Sequence, residues 1–230
     1  TTMSVDTIWK NEGFAYSASF SPDRKKILIQ GAGEAFGGVG QNIDEGQIAN
    51  SYNRLAFIMD ITTKQVDPIT KKFDPSIEQC FWNPKDNLIY LRTTDRDYVN
   101  VYTYNPNAKS FSKLPLNEEV VRSFSTANNA LYAIYHGVSI DNSTRGYIYD
   151  LKNQKSTLIA DPYSERLSHI ELGKFEDWNF TNSVNTKIEG RFYLPPNFDS
   201  SKKYPMIVYY YAGTTPTARA LDHPYSMPVY

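Results

Sequence analysis

A single cysteine, Cys80, is present, so no disulfide can form within the chain. It opens the strand-like run Cys80-Phe81-Trp82, which marks it as a buried, inert thiol. No apolar run approaches the roughly 20 residues of a membrane-spanning helix. The opening Thr1-Thr2-Met3-Ser4-Val5-Asp6 lacks the basic-then-apolar order of a secretory signal. Charge of one sign is also missing. The 24 Lys and Arg are offset by 25 Asp and Glu, leaving a net charge of −1, which excludes a nucleic-acid footprint or attraction to an anionic membrane. No His, Cys, Asp and Glu are spaced as zinc ligands, and Asp95-Arg96-Asp97 lacks the further oxygen ligands and the glycine of a calcium loop. Gly31-Ala32-Gly33-Glu34-Ala35-Phe36-Gly37 imitates a dinucleotide fingerprint, but its third glycine comes one residue late and no long amphipathic helix follows. Neither a metal nor a cofactor is expected.

What is abundant is aromatic. Eighteen Tyr and twelve Phe in 230 residues favour strands, and the length suffices to bury a core as one large domain or two modest ones. Three strand-like runs end in the same polar turn: Phe57–Lys64, Tyr102–Lys109 and Tyr147–Gln154. Their Asp60, Asn105 and Asp150 recur 45 residues apart. Short Asp and Asn side chains suit a hairpin corner because they bond back to nearby backbone. A second set lies upstream of these. Ser19–Ile29 matches Phe81–Leu91, with a weaker copy at Ser123–Ile134, and each is a strand, a tight turn and a short apolar strand. Four short strands per unit at this period are the mark of a propeller blade. A β-sandwich with coincidental spacing is the alternative. Three blades cannot close a ring and bury their faces only against neighbours. The first unit also carries a polar, Gly-rich insertion of roughly twenty residues, Gly31 to Tyr52, placed to reach over the propeller mouth or toward a neighbouring domain.

From about Phe175 the style changes. Phe175–Asn182 and Lys187–Leu194 form a hairpin about Ser183–Thr186. A break at Pro195-Pro196 and a polar loop at Asp199–Lys203 lead into the apolar run Pro205–Tyr211, expected to be a central strand covered on both faces. The expected division is a partial propeller over 1–170 and the start of another domain over 171–230, with the boundary near Ser164–Lys174.

Leu194-Pro195-Pro196-x-Phe198-Asp199-x-Ser201-Lys202-Lys203-Tyr204-Pro205, then a strand ending Tyr211-Ala212-Gly213, resembles the prolyl oligopeptidase family of serine peptidases, nearest its dipeptidyl peptidase IV branch. The blade-like repeats directly upstream follow the family's order. The resemblance covers essentially the whole chain. It implies a mainly β fold: about three four-stranded blades of a β-propeller, then the opening strands of an α/β-hydrolase domain. It also implies hydrolysis of short peptides, often after Pro or Ala near the N-terminus, by a Ser-Asp-His triad between the two domains. An exported or periplasmic location is plausible by the same resemblance.

One catalytic position maps onto this sequence. Tyr211 falls where the dipeptidyl peptidase branch has a tyrosine donating to the oxyanion, and the loop after that strand is where an α/β-hydrolase supplies such a donor. Tyr209 and Tyr210 stand beside it, and the register decides which faces the site. No G-x-S-x-G nucleophile elbow occurs in the 230 residues; Gly137-Val138-Ser139-Ile140-Asp141 lacks the second glycine. The three histidines, His136, His169 and His223, do not sit where the family has its catalytic one and read as structural or surface groups. Glu34, inside the insertion, is a candidate for an amine-binding part, and an exposed loop carboxylate without a partner is the plainer reading. Asn142-Ser143-Thr144 and Asn179-Phe180-Thr181 match the glycosylation sequon, a weak pattern.

The expectation is therefore a fragment of a serine exopeptidase or oligopeptidase, inactive by itself for want of a nucleophile–base pair. The alternatives are a propeller that binds peptides or proteins without chemistry, and a family member that has lost its triad. Met206–Tyr211, β-prone and uncharged, makes pairing with a second copy or with the rest of the parent protein an expected property.

Overall fold

The computed structural model describes residues 5, 7–10, 13–44, 46–48, 51–208 and 219–221. Three antiparallel four-stranded meanders follow one another. The first contains β1 (Ala15–Phe20), β2 (Lys26–Ala32), β3 (Arg54–Asp60) and β4 (Val66–Asp67). The second contains β5 (Ser76–Trp82), β6 (Ile89–Asp95), β7 (Tyr98–Asn105) and β8 (Ser110–Lys113). The third contains β9 (Val120–Thr126), β10 (Tyr132–Ser139), β11 (Asn142–Asp150) and β12 (Lys155–Ala160). A single parallel bridge, Val99 to Val120, joins the second and third. These are three blades of a β-propeller, packed face to face.

Alternation explains the short apolar runs Ile27-Leu28-Ile29 in β2 and Ile89-Tyr90-Leu91 in β6. Along β2, Ile27 and Ile29 face one way, while Leu28 faces the second blade with Ala56, Ile58, Ile77, Ile89 and Leu91. Along β6, Ile89 and Leu91 point to the first blade, and Tyr90 points to the third, among Val121, Phe124 and Tyr149. A strand buried on both faces needs an unbroken apolar run. The outward face of the third blade stays apolar and exposed at Tyr132, Ile134, Ile148 and Leu158, as does the first blade's at Tyr16 and Phe20.

The 45-residue period is written in hydrogen bonds. Asp60 Oδ1 accepts from the backbone N–H of Thr62 and Thr63 at 2.9 and 2.8 Å. Asn105 Oδ1 accepts from Asn107 and Ala108 at 2.9 and 3.1 Å. Asp150 Oδ1 accepts from Lys152 and Asn153, both at 2.9 Å. Four residues past each corner the chain turns left-handed, at Lys64, Lys109 and Gln154. The hydrogen bonds, led by the Thr63 amide for Asp60 and the Asn153 amide for Asp150, hold both carboxyls below the usual Asp value. A lowered folded pKa means full stabilisation above the unfolded value of about 3.9 and loss as pH falls through the folded one. Asp60→Ala and Asp150→Ala are therefore expected to lower the urea midpoint at pH 7 by more than at pH 2, whereas the loss in Asn105→Ala stays the same at both. Equal losses at both pH values for the Asp variants would contradict this account of the corner.

Gly31, expected to open the insertion, lies within β2. It pairs with Leu55, and a Cβ there would lie 2.8 Å from the Phe14 carbonyl oxygen, so β1 and β2 approach this closely only with glycine. The insertion between β2 and β3 starts with a short turn, α1 (Ala35–Gly38), in which Phe36 and Gly37 are left-handed; Phe36 packs edge-on against Phe57 at 5.4 Å and covers part of the free face of the first blade.

After α2 (Ser164–Leu167), β13 (Phe175–Thr181) and β14 (Lys187–Tyr193) form an isolated hairpin. Asn182 Oδ1 holds its turn, accepting from the amides of Val184 and Thr186 at 3.1 and 2.8 Å. Residues 205–208, expected to begin the central apolar strand, are not in a strand, and Met206, Ile207 and Val208 are exposed. A strand exists only through its partners, and no strand among the described residues pairs with this run.

Candidate functional site

In a meander, the corners between second and third strands lie at the same end as the links between blades. Here those corners follow Ala32, Asp95 and Ser139. The hairpin and the segment 219–221 dock at this end, over the second and third blades. The Leu221 amide donates to the Ser139 carbonyl at 2.9 Å, and the Arg219 amide donates to the Asp97 carbonyl at 3.0 Å. Ala220 is buried with Val120 and Val138.

Five charged side chains meet there. Asp97 comes from the β6–β7 corner, Glu119 from the link into β9, Asp177 and Arg191 from the hairpin, and Arg219 from the docked segment. Asp177 and Arg191 are direct cross-strand partners, and Arg191 Nε lies 3.3 Å from Asp177 Oδ1. The other end of Arg191 donates to Asp97 Oδ2, which joins the hairpin to the propeller. Burial pushes the Asp177 carboxyl up, but hydrogen bonds from Arg219 and Arg191 outweigh it and hold it below the ordinary Asp value. Burial likewise disfavours the charge on Arg219, and its bonds to Asp177 and Glu119 reverse that, so it stays cationic. The cluster holds no nucleophile; what it can do chemically is fix one part of the chain against another.

Tyr211, the residue matched to an oxyanion donor, lies outside the described residues, as do Tyr209, Tyr210 and His223. His136 pairs with Ser123 across β9 and β10, with Nδ1 2.5 Å from Ser123 Oγ. No carboxylate among the described residues hydrogen-bonds this histidine, and the pair sits exposed on a sheet face, so it lacks the orienting third group that acyl transfer requires. His169 follows α2 on the surface. Glu34 is not the solvated, unpartnered carboxylate expected: it is half-buried, and its Oε1 accepts from Ser51 Oγ across the insertion. Burial pushes the Cys80 thiol up to about 12, which makes it unreactive. Among the described residues no three His, Cys, Asp or Glu side chains are placed to hold a metal ion, and no helix is long and apolar enough to cross a membrane.

No protein-family model matches the sequence. Dipeptidyl-peptidase 5 of Porphyromonas gingivalis is 23% identical over 204 residues, which cover 87% of this chain and 27% of that protein. The chain thus spans about a quarter of the length of this curated relative. Among solved structures, the acylaminoacyl peptidase of Pyrococcus horikoshii superposes with a TM-score of 0.58 at 15% identity, over 80% of this chain and 25% of that one. The chain resembles part of a prolyl oligopeptidase-family peptidase. A puromycin-hydrolysing peptidase of Mycobacterium tuberculosis shares the fold at a TM-score of 0.55 and 8% identity, over 81% of this chain and 35% of that one.

The charged cluster was invisible in the sequence of this peptidase-like chain. Apart from the Asp177–Arg191 pair, its contacts join residues 42 to 122 positions apart, and Asp95-Arg96-Asp97 offered only an incomplete metal loop. Cross-strand placement of Asp177 opposite Arg191 was the one available signal, and it needs the loop to begin at Asn182, since the expected turn over 183–186 would set Asp177 opposite Phe192.

Proposed function

We propose that these residues are part of a serine peptidase that hydrolyses short peptides through an acyl-enzyme, with preference for Pro or Ala near the substrate's N-terminus. In this reading residues 1–170 are propeller and residues 171–230 open the α/β-hydrolase domain. Tyr211 donates to the oxyanion, and the propeller restricts entry to short peptides. The nucleophile, base and orienting acid come from outside these 230 residues, which by themselves are inactive. The observation that carries the reading is the order of parts: three blades, then a hairpin docked on their corner end, in a chain similar over most of its length to a dipeptidyl peptidase. The exposed apolar faces of the first and third blades support packing against further blades of the parent protein.

The test uses the full-length protein, a fluorophosphonate probe and a panel of X-Pro and X-Ala p-nitroanilides. The expected result is stoichiometric labelling of one serine and turnover that labelling abolishes. Absence of both labelling and turnover would overturn the reading in favour of a non-catalytic binding propeller.

A further inference from the structure

The first strand of every blade carries the same irregularity. Successive residues of the second strand pair with residues two apart on the first, so one residue bulges out: Tyr16 in β1, Glu78 in β5 and Arg122 in β9. On the second strands, the residues that resume the ladder past each bulge are Gln30, Arg92 and His136, opposite Ser17, Gln79 and Ser123. These three positions are equivalent by register, although their side chains differ.

At two of them the side chain crosses to the next blade. Gln30 Nε2 donates to the Ile77 carbonyl at 2.7 Å, and Arg92 Nη1 donates to the Val121 carbonyl at 3.4 Å. Ile77 and Val121 each stand just before the bulge of that next blade. A bulge interrupts the ladder locally, and a donor from the preceding blade answers the carbonyl beside it. The apolar surroundings repeat as well. Two residues earlier on the second strands lie Leu28, Tyr90 and Ile134, opposite Ser19, Phe81 and Ser125. Leu28 and Tyr90 are 1% and 2% exposed, whereas Ile134 is 61% exposed, beside its exposed cross-strand neighbour Ile148. The third blade thus repeats the donor position and the apolar spot, and both stand uncovered.

We propose that this face of the third blade docks the first strand of a further propeller blade, supplied from outside these 230 residues, with His136 as its anchor. His136 Nε2 donates to the carbonyl just before a bulge in that strand, and apolar residues of the same strand cover Ile134 and Ile148. The reach fits, because Nε2 stands the same number of bonds from Cα in histidine as in glutamine. Ser123 sets the tautomer: its hydroxyl, 2.5 Å from Nδ1, donates to that nitrogen and leaves the ring proton on Nε2. The argument is continuity with two interfaces already formed in the same chain. A second copy would offer its first blade, but Phe36, with Trp9 packed edge-on against it at 5.2 Å, already covers part of the free face there. The inference rests on the further blades of the parent protein proposed above, and not on its chemistry.

The test uses the full-length protein. Tyr132, half-exposed on the same face of β10, is replaced by p-benzoylphenylalanine, the protein is irradiated, and the crosslinked peptide is identified by mass spectrometry. The expected crosslink is intramolecular, to the opening strand of a blade outside residues 1–230. A crosslink at doubled mass, one confined to the third blade, or one to any other part of the protein would overturn the proposal. His136→Ala and His136→Gln are then compared by hydrogen exchange of β10 and β11. Exchange there should rise about fivefold in His136→Ala, the scale of one net hydrogen bond, and stay within about twofold in His136→Gln. Glutamine already makes this bond from the first blade. Equal increases in the two variants, or none in His136→Ala, would show that His136 anchors no carbonyl. Neither readout uses turnover, so failure of this docking and failure of the peptidase reading are separate results.

Discussion

Tyr211→Phe in the full-length protein is expected to lower kcat on X-Pro p-nitroanilides by about 10²–10³, the usual effect of removing one oxyanion-hole donor. The change deletes a single hydroxyl and keeps the ring, so under the proposed role only the bond formed as the carbonyl becomes an oxyanion is lost. That bond is stronger in the transition state than in the ground state, and KM should therefore move little. Tyr210→Phe serves as the internal control, because in the strand expected from the sequence adjacent residues face opposite ways. The full loss in Tyr210→Phe with none in Tyr211→Phe would shift the donor by one residue. No loss in either would remove a tyrosine donor from this segment and leave the oxyanion to backbone amides.

Features that depend on neighbours within a few residues were legible in the sequence. Asp60, Asn105 and Asp150 announce their corners because each side chain bonds amides only two or three residues on. The apolar runs Ile27–Ile29 of β2 and Ile89–Leu91 of β6 fit blades covered on both sides. The hairpin itself was readable, although its loop begins at Asn182, one residue before the turn expected at 183–186. Legibility fails where the partner is far away in the chain. Arg219 meets Glu119 and Asp97 across separations of 100 and 122 residues, and neither its own surroundings nor theirs distinguish these residues from solvated charges. Ser51, seventeen residues beyond Glu34, converts an apparent loop carboxylate into an internal strut of the insertion. The apolar run from Pro205 fails for a related reason. Its composition states a β preference, but a strand is realised only beside another strand.

Glu118→Ala is expected to be among the most destabilising single changes in the third blade, at about 3 kcal/mol, because it leaves buried hydroxyls unpaired. Glu118 is 5% exposed, and its carboxylate accepts from Ser139 Oγ at 2.7 Å and from the Tyr147 hydroxyl at 2.6 Å. The Asn142 amide, oriented so that both its ends are satisfied, adds a donor 3.1 Å from Oε2. The backbone admits the residue because position 137 is glycine: a Cβ there would lie 2.8 Å from Glu118 Cβ and 2.6 Å from the Val120 carbonyl oxygen. Burial, followed by the bond to Glu118, pushes the Tyr147 hydroxyl well above its ordinary pKa, so it remains a donor at any working pH. Glu118→Gln keeps one acceptor oxygen and should lose less, about 1–2 kcal/mol, while Tyr147→Phe removes one donor and should lose about 1–3 kcal/mol. Urea unfolding of the two single variants Glu118→Ala and Tyr147→Phe and of the double variant gives the coupling directly, and the double should lose clearly less than the sum. Strict additivity, or a Glu118→Ala loss below about 0.5 kcal/mol, a change typical of a plain surface site, would show that the carboxylate organises nothing. Ser139 also accepts the Leu221 amide through its carbonyl, so slack introduced at Glu118 passes to the segment that carries Arg219. Glu118→Gln should therefore raise hydrogen exchange at Leu221 before it affects the strands of the first blade.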